Sequence, residues 1–285
     1  MSERREALAS PERAVAPSGR SLHDVELPTP PAYPLSHAHV TTVIPCLDEE
    51  EAIGPCVATV LGQGVGEVIV VDGGSKDRTV ERAAAAGARV VVEPQRGYGR
   101  AMMAGIAAAS PDCTIVLFID GDGSDRPEMI PAVLAPIESG SADFVLGSRL
   151  SGDREPGSLA PAQIVAGHLA GLLVRLLYGA RFSDMSPFRA IRRDALERLG
   201  MREETFGWNL EMQMRVAAAG LRTIEVPVGQ RRRAGGVSKV SGSVAAVRAA
   251  TVLVSTFLRL ALGLRRARRT ATGSETGARP NGRNP

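Results

Sequence analysis

Asp120, Gly121 and Asp122 follow directly on an apolar run, Ile115–Ile119, and place two carboxylates at i and i+2 on one loop. Two more acidic loops follow apolar runs earlier in the chain. Val40–Ile44 leads into Pro45-Cys46-Leu47-Asp48-Glu49-Glu50-Glu51, and Val68–Val71 leads into Asp72-Gly73-Gly74-Ser75-Lys76-Asp77. Two carboxylates about 4 Å apart repel by roughly 4 kcal/mol at an effective dielectric near 20. Such crowding calls for a cation or a hydrogen-bonding ligand. Asp120 and Asp122 are hard oxygen donors, suited to Mg2+ or Mn2+. An ion there neutralises phosphates, which favours a metal-bridged nucleotide diphosphate as ligand. Asp72, ahead of two glycines that let the backbone come close, is placed to bind base or ribose. No GxGxxG follows the first run, which excludes a standard NAD or FAD fingerprint. Ser75 and Asp77 read as helix N-caps.

The elements that position these loops alternate along the chain. Short apolar or β-branched runs lie at Val40–Ile44, Val68–Val71, Arg89–Val92, Ile115–Ile119 and Phe144–Leu146. Helical stretches lie between them at Glu50–Leu61, Asp77–Ala86, Gly99–Ala109 and Pro127–Ser139. Strand–helix alternation with wholly apolar strands predicts an α/β fold, a parallel sheet covered on both faces. In such a sheet ligands bind beyond the carboxyl ends of the strands, where the acids fall.

Composition narrows the class. The 285 residues are 44% hydrophobic and 23% charged, ordinary values that disfavour wholesale disorder and an integral membrane bundle. Aromatics at 4% argue against a base-stacking platform. Three scattered cysteines, Cys46, Cys56 and Cys113, make no disulfide scaffold and fit a reducing cytosol. The formal charge is +3, but residues 265–285 hold six Arg and one Glu, and residues 40–264 keep 24 basic against 25 acidic side chains. The basic character belongs to the tail, so no nucleic-acid partner is expected. Residues 1–38 are Pro-, Ser- and charge-rich and read as a disordered leader, and residues 267–285 as a disordered basic tail. The domain is expected over 39–240.

Gln163–Tyr178 and Ser243–Leu264 are long and apolar, but His168 and Arg175 interrupt the first, and Arg248 and Arg259 the second. An Arg at mid-bilayer costs roughly 2.5–3.5 kcal/mol, so neither spans comfortably. At helical spacing Arg248, Ser255, Arg259 and Arg266 fall within about 20° of one line, opposite Val247, Val254 and Leu258. Residues 241–266 therefore read as an amphipathic helix suited to an anionic membrane surface. A helix packed on the sheet with a solvated Arg edge is the other reading.

With these residues in place, the chain resembles a family-2 glycosyltransferase of GT-A fold, closest to the polyprenyl-phosphate mannose/glucose synthase-like branch. The match is carried in order by Val43-Ile44-Pro45 with Asp48-Glu49-Glu50, Val70–Thr79, Gly97-Tyr98-Gly99-Arg100-Ala101, Asp120-Gly121-Asp122, Gly147-Ser148-Arg149, Ser186–Ala190, Gly207–Met212 and Gly235–Lys239. The resemblance implies a Rossmann-like, mostly parallel sheet and inverting hexose transfer from a nucleotide diphosphate-sugar. The two amphipathic helices and the Arg tail make polyprenyl phosphate the expected acceptor and, with the reduced cysteines, place the enzyme in the cytoplasm, peripheral at the inner face of the cell membrane. By the resemblance, Pro45 and Glu49 border the nucleotide pocket, Asp72 meets the base, and Gly97–Arg100 lie along nucleotide or sugar. Asp120 and Asp122 match the metal-binding DxD. Asp48 stands where the family often has Asn, and Gly73 where a second Asp is frequent.

Transfer also needs leaving-group stabilisation, for which Arg231, Arg232, Arg233 and Lys239 offer charge. Arg149 and Arg189 are candidates to grip an acceptor phosphate, or else structural ion pairs. Glu211, on a helix among Trp208, Leu210 and Met212, is a candidate base or a sugar-positioning residue. Asp122, Glu211, Arg149 and Lys239 form the candidate catalytic set. Competing readings are a small soluble or glycan acceptor, an inactive nucleotide-sugar-binding protein, and a haloacid-dehalogenase-like phosphatase built on Asp120 and Asp122.

Overall fold

The apolar runs become five strands of a seven-stranded mixed sheet. In this computed structural model, which describes residues 37–234, 251 and 254–262, the strands are β1 (His37–Cys46), β2 (Val65–Asp72), β3 (Arg89–Val92), β4 (Ile115–Phe118), β5 (Phe144–Ser148), β6 (Arg189–Arg192) and β7 (Thr223–Pro227). Their order is β3-β2-β1-β4-β6-β5-β7. β1, β2, β3 and β4 run parallel, β7 runs parallel to β5, and β6 is antiparallel to both its neighbours. The sheet is mostly parallel, as expected, with β6 as the exception.

Alternation along β1 sorts its side chains to two faces. Ile44 packs with Ile53, Val57 and Val60 of α1 (Ile53–Gly62) and with Val133, Leu134 and Ile137 of α4 (Ile130–Glu138). Val43 faces the other way, toward Met102 of α3 (Tyr98–Ala108), Leu196 of α6 (Arg193–Leu199) and Trp208 and Met212 of α7 (Trp208–Ala219). Each such side chain, fully buried, contributes about 1.5–3 kcal/mol of transfer free energy. The short α2 (Thr79–Ala85) follows the β2 loop, and α5 (Pro161–Tyr178) lies between β5 and β6.

Two boundaries differ from expectation. β1 starts at His37, so two residues of the expected leader are strand. α1 starts at Ile53 rather than Glu50, because the Glu49 carbonyl accepts the Ala52 and Ile53 N–H groups in a tight turn. The remainder of the leader and the basic tail 267–285 lie outside the described residues. Of 241–266, residues 254–262 are helical. There Leu260 joins the core and Thr256 donates to Glu203 at 3.2 Å, while Val254, Leu258 and Leu262 are 55 to 63% exposed. Among the described residues no helix is long and apolar enough to cross a membrane.

Candidate active site

Parallel pairing of β2, β1 and β4 brings their carboxyl ends to one rim. The β1 and β2 loops are stitched together there. Asp48 donates its N–H to Ser75 Oγ at 2.8 Å and accepts the Lys76 N–H at 2.8 Å. Asp48 has φ of 54°, a left-handed conformation that Asp tolerates better than most residues. Glu49 donates its N–H to Thr79 Oγ1, and Glu50 donates to Asp77. Ser75 thus ties one loop to the other instead of capping a helix. Asp77 likewise ties the loops, and its bond from the Thr79 N–H closes the turn before the helix without capping it. Pro45 pairs with Val71 just below. Asp72 is buried and accepts the N–H groups of Gly74 and Ser75, so its carboxylate shapes its own loop.

The loop after β4 lies flat on β1. A Cβ at Gly121 would meet Cys46 Sγ at 2.3 Å, so position 121 admits no side chain. Asp122 accepts the Ser124 N–H, and Asp125 accepts the Asp120 N–H at 2.9 Å. Tyr98 donates to Asp120 from 3.2 Å. The Tyr98 ring stacks on Phe206 at 6.3 Å between centroids and meets the edge of Trp208 at 6.5 Å.

Burial, together with the charges of Asp122 and Asp125, pushes the Asp120 carboxyl well above its ordinary range. Burial and Asp122 push Asp125 up to about 7, against the Asp120 N–H that favours its anion. Burial also pushes the Cys56 thiol up to about 12 and raises Cys46, so neither is a ready thiolate. Three aspartates in one loop therefore lack positive charge, and one cation already answers: Arg233 Nη1 lies 2.8 Å from Asp122 Oδ2 and its Nη2 reaches Glu49 Oε1. Among the described residues no three His, Cys, Asp or Glu side chains form a complete metal cage. Two aspartates fit an ion shared with phosphate oxygens, the usual arrangement for Mg2+.

Other expected residues have other partners. Arg149 grips Asp184 with Nε at 2.8 Å and Nη2 at 2.7 Å, which is the structural ion pair rather than a free fork. Arg189 is fully buried and donates to the carbonyls of Ser186 and Asn209; burial pulls its pKa down to about 10. It is not presented to an acceptor phosphate. Glu211 is 1% exposed and accepts the N–H groups of Arg202 at 2.9 Å and Glu203 at 2.6 Å, while its other oxygen meets Arg215 at 2.8 Å. Its carboxylate holds a loop. Gly97 and Gly99 let α3 touch that loop, since a Cβ at Gly99 would stand 1.9 Å from the Glu203 carbonyl oxygen. Arg100 donates its N–H to the Glu204 carbonyl and pairs with the Glu204 carboxylate. Lys239 lies outside the described residues.

Sequence reasoning missed what Tyr98 and Arg233 touch. Tyr98 sits inside the Gly97–Ala101 motif, and only the placing of α3 against β1 and β2 shows that it reaches Asp120. Arg233 stood in a basic run whose solvated reading was equally natural.

The chain is similar to several known proteins in sequence and in fold. An uncharacterized glycosyltransferase of Mycobacterium tuberculosis is 40% identical over 207 residues, covering 72% of this chain and 91% of the relative. The dolichyl-phosphate hexose transferase of Haloferax volcanii is 36% identical over 200 residues, covering 69% and 84%. Among solved structures, glucosyl-3-phosphoglycerate synthase from M. tuberculosis superposes with a TM-score of 0.62 at 25% identity, over 78% of this chain and 80% of that one. One crystal of that enzyme contains Mn2+, UDP and glucosyl-3-phosphoglycerate. The sequence model of glycosyl transferase family 2 matches residues 41–200. With more than half of its length inside that match, the chain belongs to glycosyl transferase family 2 and is a glycosyltransferase of the GT-A fold.

Proposed function

We propose that the protein transfers a hexose, with inversion, from a nucleotide diphosphate-sugar to a polyprenyl phosphate at a membrane surface. Asp120 and Asp122 hold Mg2+ or Mn2+, with Tyr98 orienting Asp120. The ion supplies Lewis-acid charge to the departing diphosphate. Pro45, Glu49 and Asp72 border the nucleotide, and Gly97 and Arg100 lie beside it. An oxygen of the acceptor phosphate attacks the anomeric carbon from the face opposite the diphosphate, and the bond to the diphosphate oxygen breaks. A phosphate is already an anion, so no strong base is required, which accords with a Glu211 committed to the 202–203 loop.

One observation carries the lipid acceptor. Along α5 the side chains of Val165, Leu169, Leu172 and Leu176 form one stripe and are 50 to 71% exposed, with His168 and Arg175 along its edge. Val254, Leu258 and Leu262 repeat the pattern on the 254–262 helix. Residues 156–183 and 226–274, which contain these stripes, include no Asp or Glu, and the second segment has ten basic side chains. Exposed leucines beside segments rich in basic and free of acidic residues suit an anionic bilayer at the inner face of the cell membrane. The Haloferax relative is a dolichyl-phosphate enzyme by name, which supports the same class of acceptor.

Flotation with phosphatidylglycerol vesicles, together with transfer assays on polyprenyl phosphate, tests the reading. Wild type floats and glycosylates the lipid, while Leu169→Glu combined with Leu172→Glu stays behind and loses lipid transfer. A protein that ignores the vesicles at low salt and glycosylates 3-phosphoglycerate would establish the soluble-acceptor reading, for which the solved synthase is the precedent.

A further inference from the structure

The five residues that end at Ala234 are fastened on two sides. On one side, the Arg231 N–H donates to the Ser124 carbonyl at 2.8 Å, the Ala234 N–H to the Asp122 carbonyl at 3.1 Å, and Gln230 Nε2 to Ser124 Oγ at 3.3 Å. On the other, the Gln230 N–H donates to the Asp153 carbonyl, and the Arg232 N–H meets the Glu155 carboxylate at 2.8 Å. Arg231 pairs with Glu128. The strap Gln230–Ala234 therefore lies directly over the loop that carries Asp122, and its one side chain that reaches the acids is Arg233.

Arg233 spans Asp122 Oδ2 and Glu49 Oε1, two acids from different strand ends. Other charges face the same place. Asp120 and Asp125 come from the β4 loop, and Arg149, itself paired with Asp184, lies near enough to favour their anions. Three acids of the β4 loop plus Glu49 are thus opposed by one strap cation and one shared arginine. A guanidinium and a divalent ion drawn to the same Asp122 carboxylate repel each other in a partly buried site, so each weakens the hold of the other.

We propose that Arg233 is a built-in counter-ion that competes with the metal for Asp122, so that metal entry displaces its guanidinium from Asp122 and Glu49. This rests on the reading of Asp122 as a metal ligand. Without metal, the guanidinium keeps the two acids together and the loop in register. When the metal binds, the Arg233 side chain is displaced, while the backbone bonds of Gln230, Arg231, Arg232 and Ala234 keep the strap over the loop.

The test is Mn2+ binding without donor, read by the loss of the free-ion electron paramagnetic resonance signal, with thermal unfolding measured alongside. Arg233→Gln removes the competitor and should bind Mn2+ about tenfold or more tightly than wild type. Arg233→Lys keeps the charge and should stay within about threefold of wild type. Asp122→Asn should bind no Mn2+ in either background. If wild type binds Mn2+ and Arg233→Gln binds it equally or more weakly, the competition is disproved while the metal site stands. If Arg233→Lys tightens binding as much as Arg233→Gln, loosening of the strap rather than charge is responsible, and the proposal fails. If Asp122→Asn binds Mn2+ as wild type does, the metal assignment falls, and this inference with it.

Discussion

Arg149 lays both arms of its guanidinium on Asp184, and its backbone N–H reaches the same carboxylate at 3.1 Å. Asp184 also accepts the Met185 N–H, and its carbonyl accepts from Gln213 Nε2. The turn after β5 is thus bolted to the segment before β6. Removing one partner strands a buried charge, so Arg149→Ala should destabilise by about 3–5 kcal/mol in urea unfolding. Burial raises the Asp184 pKa, but the hydrogen bonds and charge of Arg149 outweigh it and leave the group below its ordinary value. The stability it contributes is therefore present above pH about 3.9, the unfolded value, and lost as pH falls through the lower folded value. Asp184→Asn should abolish that acid-side loss and be the less stable protein at pH 7. Equal unfolding curves for the two proteins at pH 7 would remove the pair from the account of the fold.

Asp122 makes its contacts at the rim and not in the core. Asp122→Asn should lower transfer by about 10²-fold or more and erase its dependence on Mn2+. Thermal unfolding should stay nearly unchanged. Product formation from labelled donor, titrated with Mn2+, decides it; an active variant would mean that the site lies elsewhere.

Glu211→Gln keeps the volume and takes away the charge that binds Arg215 and two N–H groups. A loss of about 1–3 kcal/mol in stability is expected. The pH profile of kcat/KM should keep its acidic limb in this variant. A limb that vanishes would show that Glu211 takes a proton from the acceptor.

Gly99→Ala puts a methyl group against backbone that cannot yield as a side chain can. α3 must shift from the 203–204 loop, carrying Tyr98 away from Asp120. A lowered melting temperature and weaker Mn2+ binding should appear together. Tyr98→Phe should weaken the metal with little loss of stability, which separates the two effects.

The inner sheet was legible because β1, β2 and β4 are continuous β-branched or apolar runs, each followed by a turn, and parallel strands must be apolar on both faces. β6 and β7 were not. Arg189–Arg192 has an arginine at each end, and Thr223–Pro227 contains Glu225, so neither carries the pattern of a buried strand. Their strand character comes from pairing with β4 and β5, which is a property of the assembled sheet. The same holds at the site. Asp120 and Asp122 could be read from two acids beside a strand end, since the spacing is local. The grip of Arg233 on Asp122 joins positions more than a hundred residues apart, and no local pattern encodes it. Glu211 had apolar neighbours that suggested a base, but its oxygens are taken by the Arg202 and Glu203 N–H groups of the preceding loop and by Arg215 one turn along its own helix.

Because position 121 has room for hydrogen alone, the pair of acids it separates cannot be spread or tilted by changing the residue between them. Any retuning of the ion's surroundings has to come from outside that tripeptide: from the phenol beneath one aspartate, or from the arginine lying over the other. The catalytic loop is a fixed anvil, and variation between enzymes built this way would be expected in the parts that close upon it.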